Sequence, residues 1–348
     1  MTAGAGVAID TLGMLEAAAG LPEQIEVAAA GVAAIDGLPH HDDIENVVVL
    51  GAGAAGFAGD ILPVIAGPFM AVPVVVHKGY GVPNFIDEHT LVFALSFSGD
   101  TEETVEAATD AAYAGGRMVA VTCGGELGRL AGSWGAPCIP IADGVPMPRA
   151  AIGALAIPPM MVLERMGFFP GASGWVTAAV DQLRRRRDQL IADGNPADRL
   201  ARRIGRMMPI IYGGAGIGAV ASHRWKTQFN ENAKVAAFAN QLPEACHDEI
   251  CGWGQNGDVT RQVFRIVNLR HEFEHPQVSR RFDLTNTLLD EVVAGIDDVV
   301  AEGEGPLAQL LDLVLFGDFV TLRRAAQEGI DPGPVPVVAD LQHALAAD

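Results

Sequence analysis

The chain is poor in cysteine, in aromatic residues and in positive charge, and each shortage argues against a class of protein. Only four of its 348 residues are cysteines, and no two are spaced as Cys-x-x-Cys. A small disulfide-stapled domain is therefore not expected, and the thiols are expected to be reduced. Aromatic residues make up 6% of the chain, while alanine and aliphatic residues dominate, which fits α/β layering.

Positive charge is scarce, with 23 Lys and Arg against 43 Asp and Glu, for a formal net charge of −20. This balance argues against nucleic acid as a partner. The four consecutive arginines Arg184–Arg187 have no aromatic residues interleaved and are interpreted as a solvated helix face. A phosphorylated substrate would have to be held by backbone N–H groups, hydroxyls and a few local cations.

Long hydrophobic runs are also missing. The longest uncharged stretches, Ile61–Val76 and Ala150–Leu163, are interrupted by prolines and fall short of the roughly 18 residues that a membrane-spanning helix needs. The N-terminus lacks the basic region of a signal peptide and carries Asp10 and Glu16 early. We therefore expect no membrane partner and a cytoplasmic location.

Short β-rich runs alternate with helical patterns, which predicts an α/β fold of two doubly wound parallel-sheet domains. Residues 1–165 are predicted to form the first domain with leading helices, residues 166–206 a helical connector, and residues 207–348 the second domain. The predicted strands are Asn46–Leu50, Val72–Val76, Leu91–Leu95, Met118–Thr122 and Cys138–Ile141 in the first half, and Pro209–Tyr212, Val263–Leu269 and Val299–Ala301 in the second.

A glycine-rich loop, Gly51-Ala-Gly-Ala-Ala-Gly56, follows the first predicted strand. Its G-x-G-x-x-G spacing suggests a dinucleotide site, and a nicotinamide dehydrogenase is one alternative. That site needs an acid at the end of the second strand, where this chain has His77 and Lys78. We therefore interpret the loop, with Gly53 at its centre, as a turn whose backbone amides face an anion.

A second loop, Ser96-Phe-Ser-Gly-Asp-Thr101, follows the strand LVFAL and precedes a predicted helix over Thr101–Ala114. The hydroxyls of Ser96, Ser98 and Thr101 crowd against the positive end of that helix, which predicts a phosphate-binding loop without lysine. The alternative is simple helix capping, with Asp100 as the cap and Glu103 completing a capping box.

The segment Phe229-Asn-Glu-Asn-Ala-Lys234, followed by Leu242-Pro-Glu-Ala-Cys-His-Asp-Glu249, carries the most chemistry. Glu231 and His247 are too far apart for one helix, so a turn or a second subunit would have to bring them together. A carboxylate and an imidazole suit proton transfer on a small molecule. In the alternative interpretation Glu231 only caps a helix or pairs with Lys226 or Lys234.

Two arrangements could suggest a metal. His247 has Cys246 beside it and Cys251 nearby, but a fourth zinc ligand is missing. The stretch His271-Glu-Phe-Glu-His275 is a literal H-E-x-x-H, a motif that binds zinc only on one continuous helix. It directly follows a predicted strand and meets Pro276, so it is expected to straddle a strand end and a helix start. No metal site is predicted.

These motifs together resemble the sugar-isomerase (SIS) domains, and the bifunctional phosphoglucose/phosphomannose isomerase family in particular. The Ser96–Thr104 loop resembles the sugar-phosphate signature, while Arg224–Lys234, Leu242–Glu249 and Asp331–Pro334 resemble that family. The resemblance covers nearly the whole chain. It implies two SIS domains, a homodimer with shared active sites, and no metal or redox cofactor. The implied reaction interconverts glucose 6-phosphate and/or mannose 6-phosphate with fructose 6-phosphate through an enediolate.

The resemblance also implies a role for individual residues. Glu231 matches the base that moves a proton between C2 and C1, and His247 matches the ring-opening histidine, often supplied by the partner subunit. Arg149 matches the arginine that stabilises the enediolate. The substrate phosphate is expected to be bound by Ser96, Ser98, Thr101 and Gly53.

The chain departs from the family pattern at two places. The family's first glycine loop usually carries a serine, where this chain has Ala54 and Ala55. Losing one hydrogen bond to a charged group costs roughly 1.5–3 kcal/mol. Gly333 stands where the family usually has a threonine associated with accepting the mannose epimer. The alternative is therefore a sugar-phosphate-binding regulatory protein with weakened or lost turnover.

Overall fold

The computed structural model describes residues 9–345, and what was predicted for residues 1–8 and 346–348 lies outside that range. Helices and strands alternate through the first half as predicted. In chain order they are α1 Met14–Ala19, α2 Leu21–Val32, β1 Asn46–Leu50, α3 Gly53–Ile65, β2 Val74–His77, β3 Thr90–Leu95, α4 Glu102–Tyr113, β4 Arg117–Thr122, α5 Gly125–Trp134 and β5 Cys138–Pro140.

The strands of the first half form one parallel sheet in the order β2-β1-β3-β4-β5. The residues of β3 are all buried, as are four of the five in β1, because helices cover both faces of the sheet. The strand order reverses between β1 and β3, since β2 lies on one side of β1 and β3 on the other. Ligands bind at such reversals in doubly wound sheets.

Helices then follow without an intervening strand: α6 Ile152–Met166, α7 Ala172–Ile191 and α8 Pro196–Ile204. The second half contains β6 Met208–Gly214, α9 Ile217–Glu231, β7 Phe238–Leu242, α10 Gly257–Val263, β8 Phe264–Arg270, α11 Pro276–Leu289, β9 Ile296–Val300, α12 Pro306–Gln327 and α13 Pro336–Leu345.

The second sheet is also parallel, in the order β7-β6-β8-β9, and it confirms the predicted class of fold. Strand β7 was not predicted. It lies at the edge of the sheet, and its residues FANQL are mostly exposed. Such a strand lacks the continuous apolar run by which the buried strands were recognised.

Both halves use the same turn between their first strand and the helix that follows. A β-carbon on Gly56 would lie 2.7 Å from the carbonyl oxygen of Gly51, and one on Gly213 would lie 1.9 Å from that of Gly218. Each turn therefore requires a pair of glycines five residues apart, because strand and helix backbones touch there. The predicted similarity of the two halves is confirmed at this turn.

One hydrophobic core runs through both halves. It joins buried side chains of β1 and α3 to those of α6, α7, α9 and α12. Helix α7 packs on α12 and on α2, so residues 166–206 are embedded in the molecule, and the division into three parts stays a prediction. None of the helices within residues 9–345 has both the length and the apolarity needed to cross a bilayer.

The packing of α9 on α12 predicts an effect on stability. A β-carbon on Gly317 would lie 2.3 Å from the indole nitrogen of the fully buried Trp225. We expect Gly317→Ala to lower the free energy of unfolding by about 1–3 kcal/mol, despite alanine's better helix propensity. Gly132→Ala in α5, where nothing lies within 4 Å, is the control and should not destabilise. Urea denaturation measures both; equal effects would contradict the prediction.

Candidate active site

The polar loops of the first half meet where the strand order reverses. The loop after β1 leads into α3, and the loop after β3 leads into α4, so two helix N-termini face the same crevice at the carboxyl ends of these strands. Gly53 begins α3, while Ser96, Ser98 and Thr101 lie in the second loop. The structure therefore gathers the four predicted phosphate-binding residues at one edge of the sheet.

Hydroxyl groups organise the second loop. The buried Ser96 accepts a hydrogen bond from the Gly99 N–H through its Oγ at 3.1 Å, and the same Oγ lies 3.1 Å from Thr101 Oγ1. Ser98 is exposed and accepts from the N–H of Asp100. Hydrogen bonds within the loop thus hold its hydroxyls at the N-terminus of α4.

The capping alternative for this loop is wrong. Thr101 is the N-cap of α4, and no side chain caps the helix. The carboxylate of Asp100 instead accepts from the N–H of Glu126, 2.9 Å away, in the first turn of α5. The first N–H groups of α4 remain without a side-chain cap, and its positive end is left for an anion.

The glycine loop offers the crevice only backbone groups. Ala52 is the N-cap of α3 and cannot cap it with its side chain, and Gly53 is exposed. Ala55 is buried in the first turn. Any anion bound at this helix would therefore meet main-chain N–H groups and no hydroxyl.

Glu231 is brought to the same end of the molecule by α9, which runs antiparallel to α3. Gly216, just before α9, lies next to Val64 near the end of α3, and the guanidinium of Arg224 lies 5.5 Å from the ring centroid of Phe57, about two turns earlier in α3. From Arg224, α9 continues for seven residues to Glu231, in the direction of the N-terminus of α3. The carboxylate therefore lies toward the same end of α3 as the loops that are predicted to bind phosphate.

Arg149 is held beside Glu231 in a short 3-10 turn before α6. Its guanidinium is 2% exposed, and Nη1 lies 3.5 Å from Glu231 Oε2. Nε donates to Asn232 Oδ1 at 3.0 Å, and Nη2 donates to the carbonyls of Pro332 and Gly333 at 2.5 and 2.7 Å. Burial lowers the pKa of Arg149, and the nearby Glu231 carboxylate opposes that shift.

A buried ion pair supports this arginine from behind. Arg224 donates to both carboxylate oxygens of Asp318, at 3.0 and 2.8 Å, and also to the backbone carbonyl of Arg149 at 2.7 Å. Asn232, which receives Nε of Arg149, donates in turn to Thr321 Oγ1. Helices α9 and α12 therefore fix both the backbone and the side chain of Arg149.

Glu231 pairs through its carboxylate with Arg149, and within residues 9–345 neither Lys226 nor Lys234 forms an ion pair with that carboxylate. The Lys234 ammonium contacts the backbone carbonyl of Glu231 and donates to the carbonyl of Pro334 at 2.6 Å. Burial and the positive charge of Arg149 lower the pKa of Lys234, while Glu231 and Asp331 oppose that change.

His247 is not brought to this group within one chain. It follows β7, is exposed, and its side chain forms no hydrogen bond or ion pair with Glu231 or Arg149 among the described residues. The neighbouring Glu249 instead accepts hydrogen bonds from Tyr212 and Asn240. Pairing of His247 with Glu231 stays a prediction that requires a second copy of the chain.

The H-E-x-x-H stretch straddles two elements, as predicted. His271 directly follows β8, and His275 is the N-cap of α11, where its Nδ1 accepts from the N–H of Gln277. Within residues 9–345 no group of three His, Cys, Asp or Glu side chains is placed to hold a metal ion.

Sequence reasoning missed Arg224, Asp318 and the contacts of Lys234. A signal was present for Asp318, because it interrupts the apolar stretch LLDLVLFGDFV of α12, and an acid on a buried helix face needs a cationic partner. The contacts of Lys234 go to backbone carbonyls, which leave no mark in a sequence.

Comparison with known proteins gives the following similarities. The family model described as the bacterial phospho-glucose isomerase C-terminal SIS domain matches residues 193–345. The chain is 34% identical to the bifunctional phosphoglucose/phosphomannose isomerase of Caldicellulosiruptor bescii over 96% of this chain and 99% of that protein. It is 30% identical to the protein of the same name from Thermoplasma acidophilum, over 89% and 93%.

Among solved structures, tagatose-6-phosphate ketose/aldose isomerase from Escherichia coli superposes with a TM-score of 0.66 at 14% identity, covering 92% of this chain and 95% of that one. Such a low identity bears on the fold alone. It agrees with the predicted architecture of two SIS-type domains.

The buried pair behind Arg149 predicts a large loss of stability when one partner is removed. Asp318→Asn leaves Arg224 buried without its counter-charge, which should lower the free energy of unfolding by roughly 3–5 kcal/mol. Glu126→Gln breaks the exposed Arg129–Glu126 pair and should cost no more than about 1 kcal/mol. Chemical denaturation compares the two variants; similar losses would refute the role given to Asp318.

Proposed function

The chain belongs to the bifunctional phosphoglucose/phosphomannose isomerase family, and we propose that it interconverts glucose 6-phosphate and/or mannose 6-phosphate with fructose 6-phosphate. It is a sugar-phosphate isomerase. The observation that carries the proposal is the contact of the Glu231 carboxylate with the Arg149 guanidinium, beside two helix N-termini that suit a phosphate.

Proton transfer is the role of Glu231. Aldose–ketose isomerisation removes the proton from C2 of the open-chain aldose and returns it to C1. The Glu231 side chain is 37% exposed, so its carboxylate can reach a sugar that lies in the crevice. It is the last residue of α9. A helix is a rigid element, which suits a base that must reach two adjacent carbons.

Stabilisation of the enediolate is the role of Arg149. When the C2 proton leaves an aldose, negative charge develops on the carbonyl oxygen at C1, and a fixed cation lowers the energy of that state. The Nε and Nη2 donors of Arg149 are already used inside the protein. Nη1, beside Glu231, is the nitrogen that can donate a hydrogen bond to the oxyanion.

The substrate phosphate is anchored by the loops at the strand reversal. Ser96, Ser98 and Thr101 supply hydroxyls at the N-terminus of α4, and Gly53 supplies a backbone N–H at the N-terminus of α3. The net charge of −20 makes this local arrangement necessary, because the protein as a whole repels a phosphate.

Ring opening is assigned to His247 of a second subunit. His247 is exposed and does not contact Glu231 in its own chain. This supports a homodimer in which each active site includes the His247 of the other subunit. A neutral imidazole can move a proton between the ring oxygen and the hydroxyl at C1. The proposed enzyme is cytoplasmic and works without a cofactor.

Loss of the base is the central test. In a coupled assay with fructose 6-phosphate, Glu231→Gln should lower kcat by about 10²–10⁴-fold, the usual share of general acid–base catalysis, while fructose 6-phosphate still binds. Glu244→Gln, an exposed acid in the following segment, is the matched control and should keep kcat within about twofold. A wild-type kcat in Glu231→Gln would contradict the assignment of Glu231 as the base.

A second candidate function is a sugar-phosphate-binding protein without turnover, favoured by Ala54 and Ala55 in the first loop. The same assay separates the two. Binding of fructose 6-phosphate to the wild-type protein without formation of an aldose 6-phosphate would establish this candidate. NADH formation with a sugar phosphate would instead support the alternative of a nicotinamide dehydrogenase.

Epimer choice is predicted to depend on Gly333 and Leu12 together. A β-carbon on Gly333 would lie 2.8 Å from Leu12 Cγ, so Gly333→Thr alone should lower stability by about 1–3 kcal/mol. With Leu12→Ala added, the threonine fits, and we expect a larger share of mannose 6-phosphate among the products from fructose 6-phosphate. Thermal unfolding and product analysis measure both effects; an unchanged epimer ratio in the double variant would contradict the prediction.

A further inference from the structure

The orientation of Arg149 depends on a segment that belongs to neither sheet. Residues 331–334, with the sequence Asp-Pro-Gly-Pro, connect α12 to α13 and are in neither a helix nor a strand. The carbonyls of Pro332 and Gly333 accept from Nη2 of Arg149. Nη2 is held by these two carbonyls and Nε is held by Asn232. Together these contacts orient the guanidinium so that Nη1 faces Glu231.

The segment has little regular structure of its own to keep these carbonyls in place. Two of its four residues are prolines, which have no N–H to donate. Its remaining anchors are side chains. Asp331 accepts from the N–H of Gly333 and from the N–H and hydroxyl of Thr11.

Lys234 is the other anchor. Its ammonium donates to the carbonyl of Pro334 at 2.6 Å and lies 3.5 Å from that of Pro332. The same ammonium contacts the backbone carbonyl of Glu231 at the C-terminal end of α9, where a cation also meets the negative end of the helix dipole. One side chain therefore ties the 331–334 segment to the residue that carries the base.

The backbone of Lys234 supports this assignment. Its φ of +55° is the single left-handed value at a non-glycine residue within residues 9–345. Left-handed geometry is unfavourable for an L-residue and persists where surrounding contacts enforce it. Burial lowers the pKa of its ammonium, and so does the positive charge of Arg149. The two cations lie near each other because the carbonyl of Pro332 between them accepts from both.

We propose that Lys234 is a positioning residue for the isomerase reaction: its ammonium fixes the 331–334 segment, and through the carbonyls of that segment it sets the Arg149 guanidinium beside the Glu231 carboxylate. This assignment rests on the proposed function for its catalytic consequence. Its structural consequence, the ordering of the segment, does not.

Lys234→Met tests the proposal through kcat and KM with fructose 6-phosphate. The phosphate loops are distant in sequence and untouched, so KM should stay within about threefold, while kcat should fall about tenfold or more, as small misplacements of catalytic groups cause. Lys226→Met is the matched control, since Lys226 lies on α9, the helix that ends three residues before Lys234, and forms no hydrogen bond or ion pair within residues 9–345. An equal fall in both variants would overturn the proposal.

A double-variant cycle with Asp331→Asn separates positioning from a merely structural helix cap. Both side chains hold the same segment, so the kcat of Lys234→Met/Asp331→Asn should be close to that of the worse single variant. Effects on kcat that multiply would show two independent roles and would refute the shared segment. If Lys234→Met does not fold, Asp331→Asn alone must lower kcat with KM little changed, or the proposal fails.

Hydrogen–deuterium exchange makes the outcome independent of turnover. The amides of Gly333 and Val335 should exchange faster in Lys234→Met than in the wild type, and at the wild-type rate in Lys226→Met. Unchanged exchange in Lys234→Met would overturn the proposal even in an active enzyme. An inactive wild type with faster exchange in Lys234→Met would instead reject the proposed function and keep the tie between Lys234 and the segment.

Discussion

A buried guanidinium must have its N–H groups satisfied, and in Arg149 this requirement joins the two halves of the molecule. The arginine belongs to the turn after the first sheet, whereas its partners Asn232, Pro332 and Gly333 belong to the second half of the chain. Leaving such a charge unpaired away from water would be very costly. The relative placement of the halves and the geometry of the site are therefore set by the same hydrogen bonds.

The two halves share a plan but have diverged where the first one is proposed to bind phosphate. The strand registers align Ala94 of β3 with Asn268 of β8, since each pairs with the residue before the glycine turn. The loop after β8 is therefore the counterpart of the Ser96–Thr101 loop. It carries Glu274, whose carboxylate is occupied by Arg270 and by the N–H of His271. The same alignment places Arg270, Glu272 and His275 where the first loop has Ser96, Ser98 and Thr101. The second loop therefore lacks the hydroxyls that are proposed to bind phosphate, and the second half instead supplies the groups that support Arg149.

The sequence predicted those features in which the type of residue reveals its physical role. Buried strands such as β3 were recognisable as apolar runs, and the hydroxyls of the Ser96–Thr101 loop as groups without an apolar role. The edge strand β7 was not, because most of its residues are exposed to water. The resemblance gave Arg149 and Glu231 separate roles, but their contact was not predicted, since the two residues are 82 positions apart and no local rule relates them. The contacts of Lys234 depend on backbone carbonyls, which every residue has.

The continuous core has a consequence for the unfolding of the protein. Because α7, α9 and α12 pack together and against the first half, neither half can unfold without exposing apolar surface of the other. We therefore expect unfolding of one half to destabilise the other, and neither half to be stable when expressed alone. A fragment containing the whole Ser96–Thr101 loop would still lack a fixed Arg149, because the groups that hold its guanidinium lie in the second half.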